Sequence, residues 1–271
     1  METTEAIRRI HEIIKMLRSD VRTAILSHEV MEAANEVVPN GMAGIRSEFF
    51  DTYGAVQNAL ALKLAMDLAR IFDVTVSGRF PIAEQDKASI PVLAALLDRS
   101  DVREHFICEA AHWFRGVASP GVSREASFEA MWVAVGKVNK ERRNKDALAC
   151  ERALDDFAAL AVRLRAEGSD EADALGRVRR FRNQRLAHSL FDKEPEKCPR
   201  YSDLSMLLKA AMNATELALF AVEGQNADYS EIASEQRRNA KGFSLSLVRG
   251  LKLSSARQRH RFRRYRIQPG Q

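Results

Sequence analysis

The chain has 271 residues, 46% of them apolar, which is enough for one large or two small domains with a substantial buried core. Glycine (13) and proline (7) are scarce, while Ala, Leu, Glu and Arg are abundant. That composition costs little side-chain entropy in a helix and offers few backbone breaks, so it points to an all-α protein. The net charge of +5 hides an asymmetry. Residues 236–271 hold eleven of the 42 Lys and Arg and no Asp or Glu, so residues 1–235 carry 31 basic against 37 acidic residues, a net of −6. A mildly acidic body with a basic C-terminal tail is expected. Cys108, Cys150 and Cys198 lie far apart, with no CxxC pair and no histidine at metal spacing, so reduced thiols are expected, and no metal or cofactor. Glu2 and Glu5 stand where a signal peptide needs a basic start, and no run of about 20 apolar residues occurs. A soluble, cytoplasmic protein without membrane association is the expectation.

In chain order, Thr4 precedes an apolar series at helical spacing (Ile7, Ile10, Ile13, Ile14, Leu17) that runs, with a break at Ser19-Asp20, to Pro39-Asn40-Gly41. A second long helical pattern covers 45–72. Residues 73–88, with Gly78 and Pro81, read as a loop. Ser89-Ile90-Pro91 supplies a capping serine and an early proline for a short helix to Leu97, and Asp101 opens another that ends near Gly116. Arg124 to Ala166 is helical by pattern with an interruption around Asn139 to Lys145, and Gly168-Ser169-Asp170 ends it. Asp170 caps a helix over about 171–191. A loop with Pro195 and Pro199 leads to Ser202 and a closing amphipathic helix over about 203–223. This gives one helical domain over 1–224 and a basic, partly disordered tail over 225–271. In that tail SEIASEQRRNA forms a short helix, and SARQRHRFRRYRIQPG interleaves arginine with His260, Phe262 and Tyr265. Such a segment suits phosphate neutralisation and base stacking, or a solvated arm with no dedicated partner.

The stretch FRNQRLAHSL, 181–190, carries the most chemistry. An arginine followed after four to six intervening residues by a histidine arises three times, as Arg22 with His28, Arg99 with His105 and Arg182 with His188, so spacing alone identifies nothing. Only Arg182 is followed by a polar amide, Asn183. It also belongs to a cluster of five arginines, Arg177, Arg179, Arg180, Arg182 and Arg185, with no acidic residue from Ala174 to Phe191. That local field attracts a polyanion and disfavours the charged form of a neighbouring histidine. Arg182, Asn183 and His188 therefore stand out as the candidate site, with Arg177, Arg179, Arg180 and Arg185 as candidate contacts to a polyanion. ERRNKDALAC, 141–150, echoes the motif with Arg143-Asn144 but ends in Cys150 in place of a histidine, and lacks a proton-transfer group of suitable pKa. His11, His28, His105, His112 and His260 read as structural or surface residues.

RNQRLAHSL at this place resembles the HEPN superfamily (higher eukaryotes and prokaryotes nucleotide-binding), whose signature is an arginine, a polar residue and a histidine shortly after. The wording is most similar to the abortive-infection branch named after the phage-resistance protein U. AMDLARIFD, with Asp67, Arg70 and Asp73, KASIPVLAALL, and the closing YSDLSMLLKAAMNATELALFAVEG resemble the same branch, over roughly residues 1–224. The resemblance implies an all-α HEPN-type bundle, here with extra N-terminal helices and the basic tail. It also implies RNA cleavage without a metal, using the ribose 2′-hydroxyl as nucleophile and leaving a cyclic phosphate. Some members carry, two positions after the histidine, a tyrosine that a partner nucleotidyltransferase modifies; Leu190 stands there in this chain.

The residue types suit such chemistry. A histidine ordinarily titrates near neutral pH, a residue type suited to moving a proton, so His188 can take that part. Arg182 can bind a phosphate bidentately and stabilise developing charge, and Asn183 can orient either group. Asp67, Arg70 and Asp73 follow at i, i+3 and i+6, so neighbours can pair along a helix, and they support the bundle or the motif. Positions 182 and 188 on a straight helix lie about 120° apart around the axis and about 9 Å along it. The helix therefore begins or bends near Arg182, or a second chain completes the site. The resemblance implies dimerisation through this region, so a homodimer with a composite basic cleft is expected. RNA is the expected partner, together with an antitoxin or another defence protein. The competing readings are a noncatalytic RNA- or nucleotide-binding module and a dimeric interaction protein.

Overall fold

Residues 1–43, 49–75, 80–113, 129–186 and 199–265 are described by a computed structural model. All described elements are helical. They are α1 (Thr3–Gly41), α2 (Phe49–Ile71), a 3-10 turn (Ile82–Glu84), α3 (Ile90–Leu97), α4 (Ser100–Ala110), α5 (Glu129–Arg163), α6 (Asp170–Phe181), a π-helical turn (Arg182–Leu186), α7 (Tyr201–Glu223) and α8 (Tyr229–Tyr265). The all-α class expected from composition is the observed one.

The chain divides into two compact units, one formed by residues 1–21 and 68–228 and the other by 22–67 and 229–271. In the first, α5 packs on α4 and α7, and α6 packs on α7. Its core holds Ile10, Ile14, Leu68, Phe72, Leu93, Phe106, Phe157, Leu207 and Leu219, each almost fully buried. By length and composition α7 is apolar enough to cross a membrane, but its Leu204, Leu207, Leu208, Ala211, Ala218 and Leu219 are buried in this core. The helix stops at Gly224, which takes the left-handed conformation (φ 64) and donates its N–H to the Phe220 carbonyl, a common helix termination. Trp113 packs so closely there that a Cβ on Gly224 would lie 2.8 Å from its ring.

In the second unit, Ala34, Val38 and Met42 of α1 pack with Val248 of α8. Arg237 lies within ion-pair distance of Glu29, Glu32 and Glu36, and Lys241 Nζ lies 2.8 Å from Glu36 Oε1.

Several boundaries differ from the sequence-based expectation. No break occurs at Ser19-Asp20: Leu17, Val21, Ala24 and Ile25 continue the buried face of α1, and Asp20 accepts from Arg70 Nη2 at 2.7 Å. Residues 139–145 likewise remain in α5. Ser169, not Asp170, is the cap of α6, its side chain accepting from the Ala172 N–H at 3.1 Å. Ser89 occupies the N-cap position of α3 but donates its hydroxyl to the Asp73 carbonyl at 2.6 Å instead of capping. The segment 225–271, expected as a partly disordered tail with a short helix, carries α8, a helix of 37 residues. Ala240, Ser244 and Val248, at four-residue spacing, are buried along it, which is the amphipathic stripe that stabilises a long surface helix. Residues 114–128, where α4 was expected to end and α5 to start, lie outside the described residues.

Candidate functional site

α6 is built to present its C-terminal end. Ser169 caps it, Asp170, Glu171 and Asp173 fill its first turn, and Arg179 and Arg180 fill its last, so charge follows the helix dipole in the favourable sense at both ends. The helix changes character at the first residue of the motif: Arg182–Leu186 form a π-helical turn. Such i→i+5 turns are rare and occur often at functional sites. The straight-helix geometry behind the 120° offset therefore does not apply over Arg182–Leu186.

Around this turn, side chains converge on the two residues that follow α2. Arg182 Nη1 donates to Asp73 Oδ1 at 3.2 Å, and its Nε donates to Asn183 Oδ1 at 3.0 Å. Lys87 Nζ donates to Asp73 Oδ2 at 2.8 Å. Ser89 Oγ donates to the Asp73 carbonyl, and Arg179 Nη2 to the Phe72 carbonyl at 2.6 Å. One carboxylate thus holds two cations with a third beside it. The side chains of Arg182 and Asp73 are 27% and 28% exposed, so the pair is supported from beneath and open to a ligand from outside. Partial burial raises the pKa of Asp73, but the hydrogen bonds and charges of Lys87 and Arg182 outweigh it and hold the carboxyl below its ordinary value. Burial pulls Arg179 below the usual arginine value, Asp73 opposes this, and the charges of Arg182 and Arg165 reinforce it.

The remaining expected residues are distributed differently. Arg177 grips Asp203 of α7 with two hydrogen bonds, Nε to Oδ2 at 2.8 Å and Nη2 to Oδ1 at 2.7 Å. Asp203 also accepts from the Arg200 N–H at 2.7 Å, closing the first turn of α7. Arg180 is exposed. Asp67 pairs along α2 with Lys63 at 2.5 Å, Arg70 pairs with Asp20 at 2.7 Å, and Asp73 reaches the motif through Arg182. His188, Leu190 and Cys198 lie outside the described residues, as does the side chain of Arg185.

The decoy at 141–150 has no such convergence. Arg143 and Asn144 are exposed, while Cys150 is fully buried, donates to the Ala221 carbonyl at 3.3 Å and has its pKa pushed up to about 11 by burial. The other described histidines have local roles, His11 and His105 edge-on to Phe106 and His28 beside Glu29. Lys87 and Ser89 are contributors that the sequence did not single out for the site. Their signal was the KASIP segment, whose serine had been read only as a cap.

A family model described as AbiU2 (HEPN_AbiU2) matches residues 7–243. No curated protein and no solved structure matches the chain.

Proposed function

Because this chain belongs to the AbiU2 family of HEPN proteins, we propose that it is an endoribonuclease of a phage-defence or toxin system, acting without a metal at the Arg182–His188 motif. The observation that carries this reading is the tether of Arg182: it opens a π-turn, and Asp73 holds its guanidinium while leaving it partly exposed. A guanidinium held in this way suits recognition of a phosphodiester, because the orientation needed for two parallel N–H···O bonds is set before the ligand arrives.

In the proposed reaction the ribose 2′-oxygen attacks the adjacent phosphorus and the bond from phosphorus to the 5′-oxygen breaks, leaving a 2′,3′-cyclic phosphate and a free 5′-hydroxyl. His188 takes the proton of the attacking hydroxyl. His188 of a second copy returns a proton to the leaving oxygen, so the charge balance is kept within a two-fold site. Arg182 stabilises the charge gathering on the non-bridging oxygens, and Asn183, already hydrogen-bonded to Arg182 Nε, keeps that side chain in register. The exposed Arg180 extends the positive surface toward neighbouring phosphates. Arg177 and Arg179 act one step behind, anchoring α6 to Asp203 and to the Phe72 carbonyl.

A second reading has its own observation. Arg177, Arg179 and Arg182 all have partners inside the protein, which also suits a noncatalytic RNA-binding or interaction module. Incubation of the purified protein with total RNA in EDTA, with product ends mapped, separates the two. Cyclic-phosphate ends support the nuclease, and salt-sensitive binding without new ends supports the module.

A further inference from the structure

Next to Asp73, but opening on another side of α6, lies a cavity of about 720 Å³. Its size falls in the range typical of sites for small molecules. One face of α6 forms a wall through Ala172, Leu175, Gly176 and Arg179; the end of α5, the start of α3 and the segments around Val74 and Phe80 form the rest. Gly176 leaves this wall open, since a Cβ there would meet nothing nearer than the Arg180 guanidinium at 3.8 Å. The segment between α2 and α3 is fixed across its width by Gln85, which accepts from the Thr75 N–H at 2.8 Å and donates to the Thr75 carbonyl at 2.7 Å. Gln85 itself is buried.

Apart from Thr75 and two arginines, Arg165 and Arg179, the lining residues are apolar, and no Asp or Glu is among the described ones. Arg165 donates to the Pro91 carbonyl. Arg179 uses Nη2 on the Phe72 carbonyl, while its Nε is buried with no acceptor among the described residues. With no carboxylate in the lining, these two guanidinium charges favour an anion in the cavity. Phe80, at the cavity, leaves 61% of its surface exposed, an apolar side chain available to cover a ligand.

We propose that this cavity binds an amphipathic anion, a small molecule with an apolar or aromatic body and one carboxylate, sulfonate or phosphate head, with Arg179 and Arg165 receiving the head. This site is separate from the nuclease reading and does not depend on it. It is coupled to Arg182 through a short path, because the Arg179 guanidinium rests on the Phe72 carbonyl and the next residue, Asp73, holds Arg182.

The test is a fluorescence titration of the full chain with 8-anilinonaphthalene-1-sulfonate, followed by competition with decanoate and with decylamine, which share chain length and differ in charge. Saturable binding is expected, displaced by decanoate at a concentration about tenfold or more below that needed for decylamine, as the loss of a charged hydrogen bond implies. Arg179→Gln weakens the probe by a similar factor of about ten. Ala172→Trp and Gly176→Leu, which fill the cavity from α6, abolish saturable binding while circular dichroism shows the helical content retained. Absence of saturable binding to the wild type, equal competition by the amine, or unchanged binding to a folded cavity-filled variant would each overturn the proposal.

Discussion

Removing the carboxylate that anchors the motif helix to the closing helix tests the packing account. In Asp203→Asn the two-point grip of Arg177 is lost, although the side-chain volume is kept. The Asp203 side chain is 5% exposed and that of Arg177 22%, with the closest approach 2.7 Å. At that separation and an effective dielectric of about 20, the attraction is about 6 kcal/mol, and desolvating the aspartate offsets a few of these. Orphaning one member of a buried pair costs about 3–5 kcal/mol; because Arg177 reaches solvent, about 2–4 kcal/mol is expected. With about 2–4 °C per kcal/mol for a chain of this size, Tm falls by roughly 4–16 °C. The pH dependence has a definite sign. The hydrogen bond from Arg177 is the largest influence holding the Asp203 carboxyl below its ordinary pKa, so its stabilisation is full above the unfolded-state value and is lost as pH falls through the folded one. The gap between wild type and variant should therefore be constant at neutral pH and close only below about pH 4. Thermal melts from pH 3 to 8, with a double-mutant cycle adding Arg177→Met, measure this. A coupling under about 0.5 kcal/mol would mean a surface-like pair and refute the anchor role.

Three further outcomes follow from the same geometry. Asp73→Asn frees Arg182 from its support, so cleavage or RNA binding drops by about 10–100-fold, with little change in helical content by circular dichroism; unchanged activity would remove Asp73 from the site. Gly224→Ala combines a left-handed backbone with a Cβ 2.8 Å from Trp113, and urea titration should show a loss of about 2–5 kcal/mol. Cys150, buried and pushed up to about 11, should stay unlabelled by a thiol reagent in the native state at pH 7.5, whereas the exposed Cys108 labels; peptide mapping reads the difference.

Much of the architecture was legible where local chemistry and burial agree. Ser89-Ile90-Pro91 marked the start of α3, and the apolar series of α1 and α7 marked their buried faces. The misplaced breaks share one cause. Ser19-Asp20 and Asn139–Lys145 are polar interruptions without Gly or Pro, which weaken a helical pattern but do not end it when the flanking residues pack. For α8 the basic composition masked an amphipathic signal, the Ala240, Ser244 and Val248 stripe, that was present in the sequence. The site itself was legible only in part. Arg182 and Asn183 stood out by type, and Asp73 by neighbourhood. That Asp73 would take Lys87 and Arg182, while Arg177 would take Asp203, depends on contacts 14, 109 and 26 residues apart, which no local pattern encodes.

The central claim is that Arg182 and His188 cleave RNA. Its most direct test is the cleavage rate of wild type, Arg182→Ala and His188→Ala on one RNA substrate in EDTA, with cyclic-phosphate ends counted. The account predicts cyclic-phosphate product from the wild type and loss of about 100-fold or more in each variant. A His188→Ala protein that cleaves at the wild-type rate would contradict it.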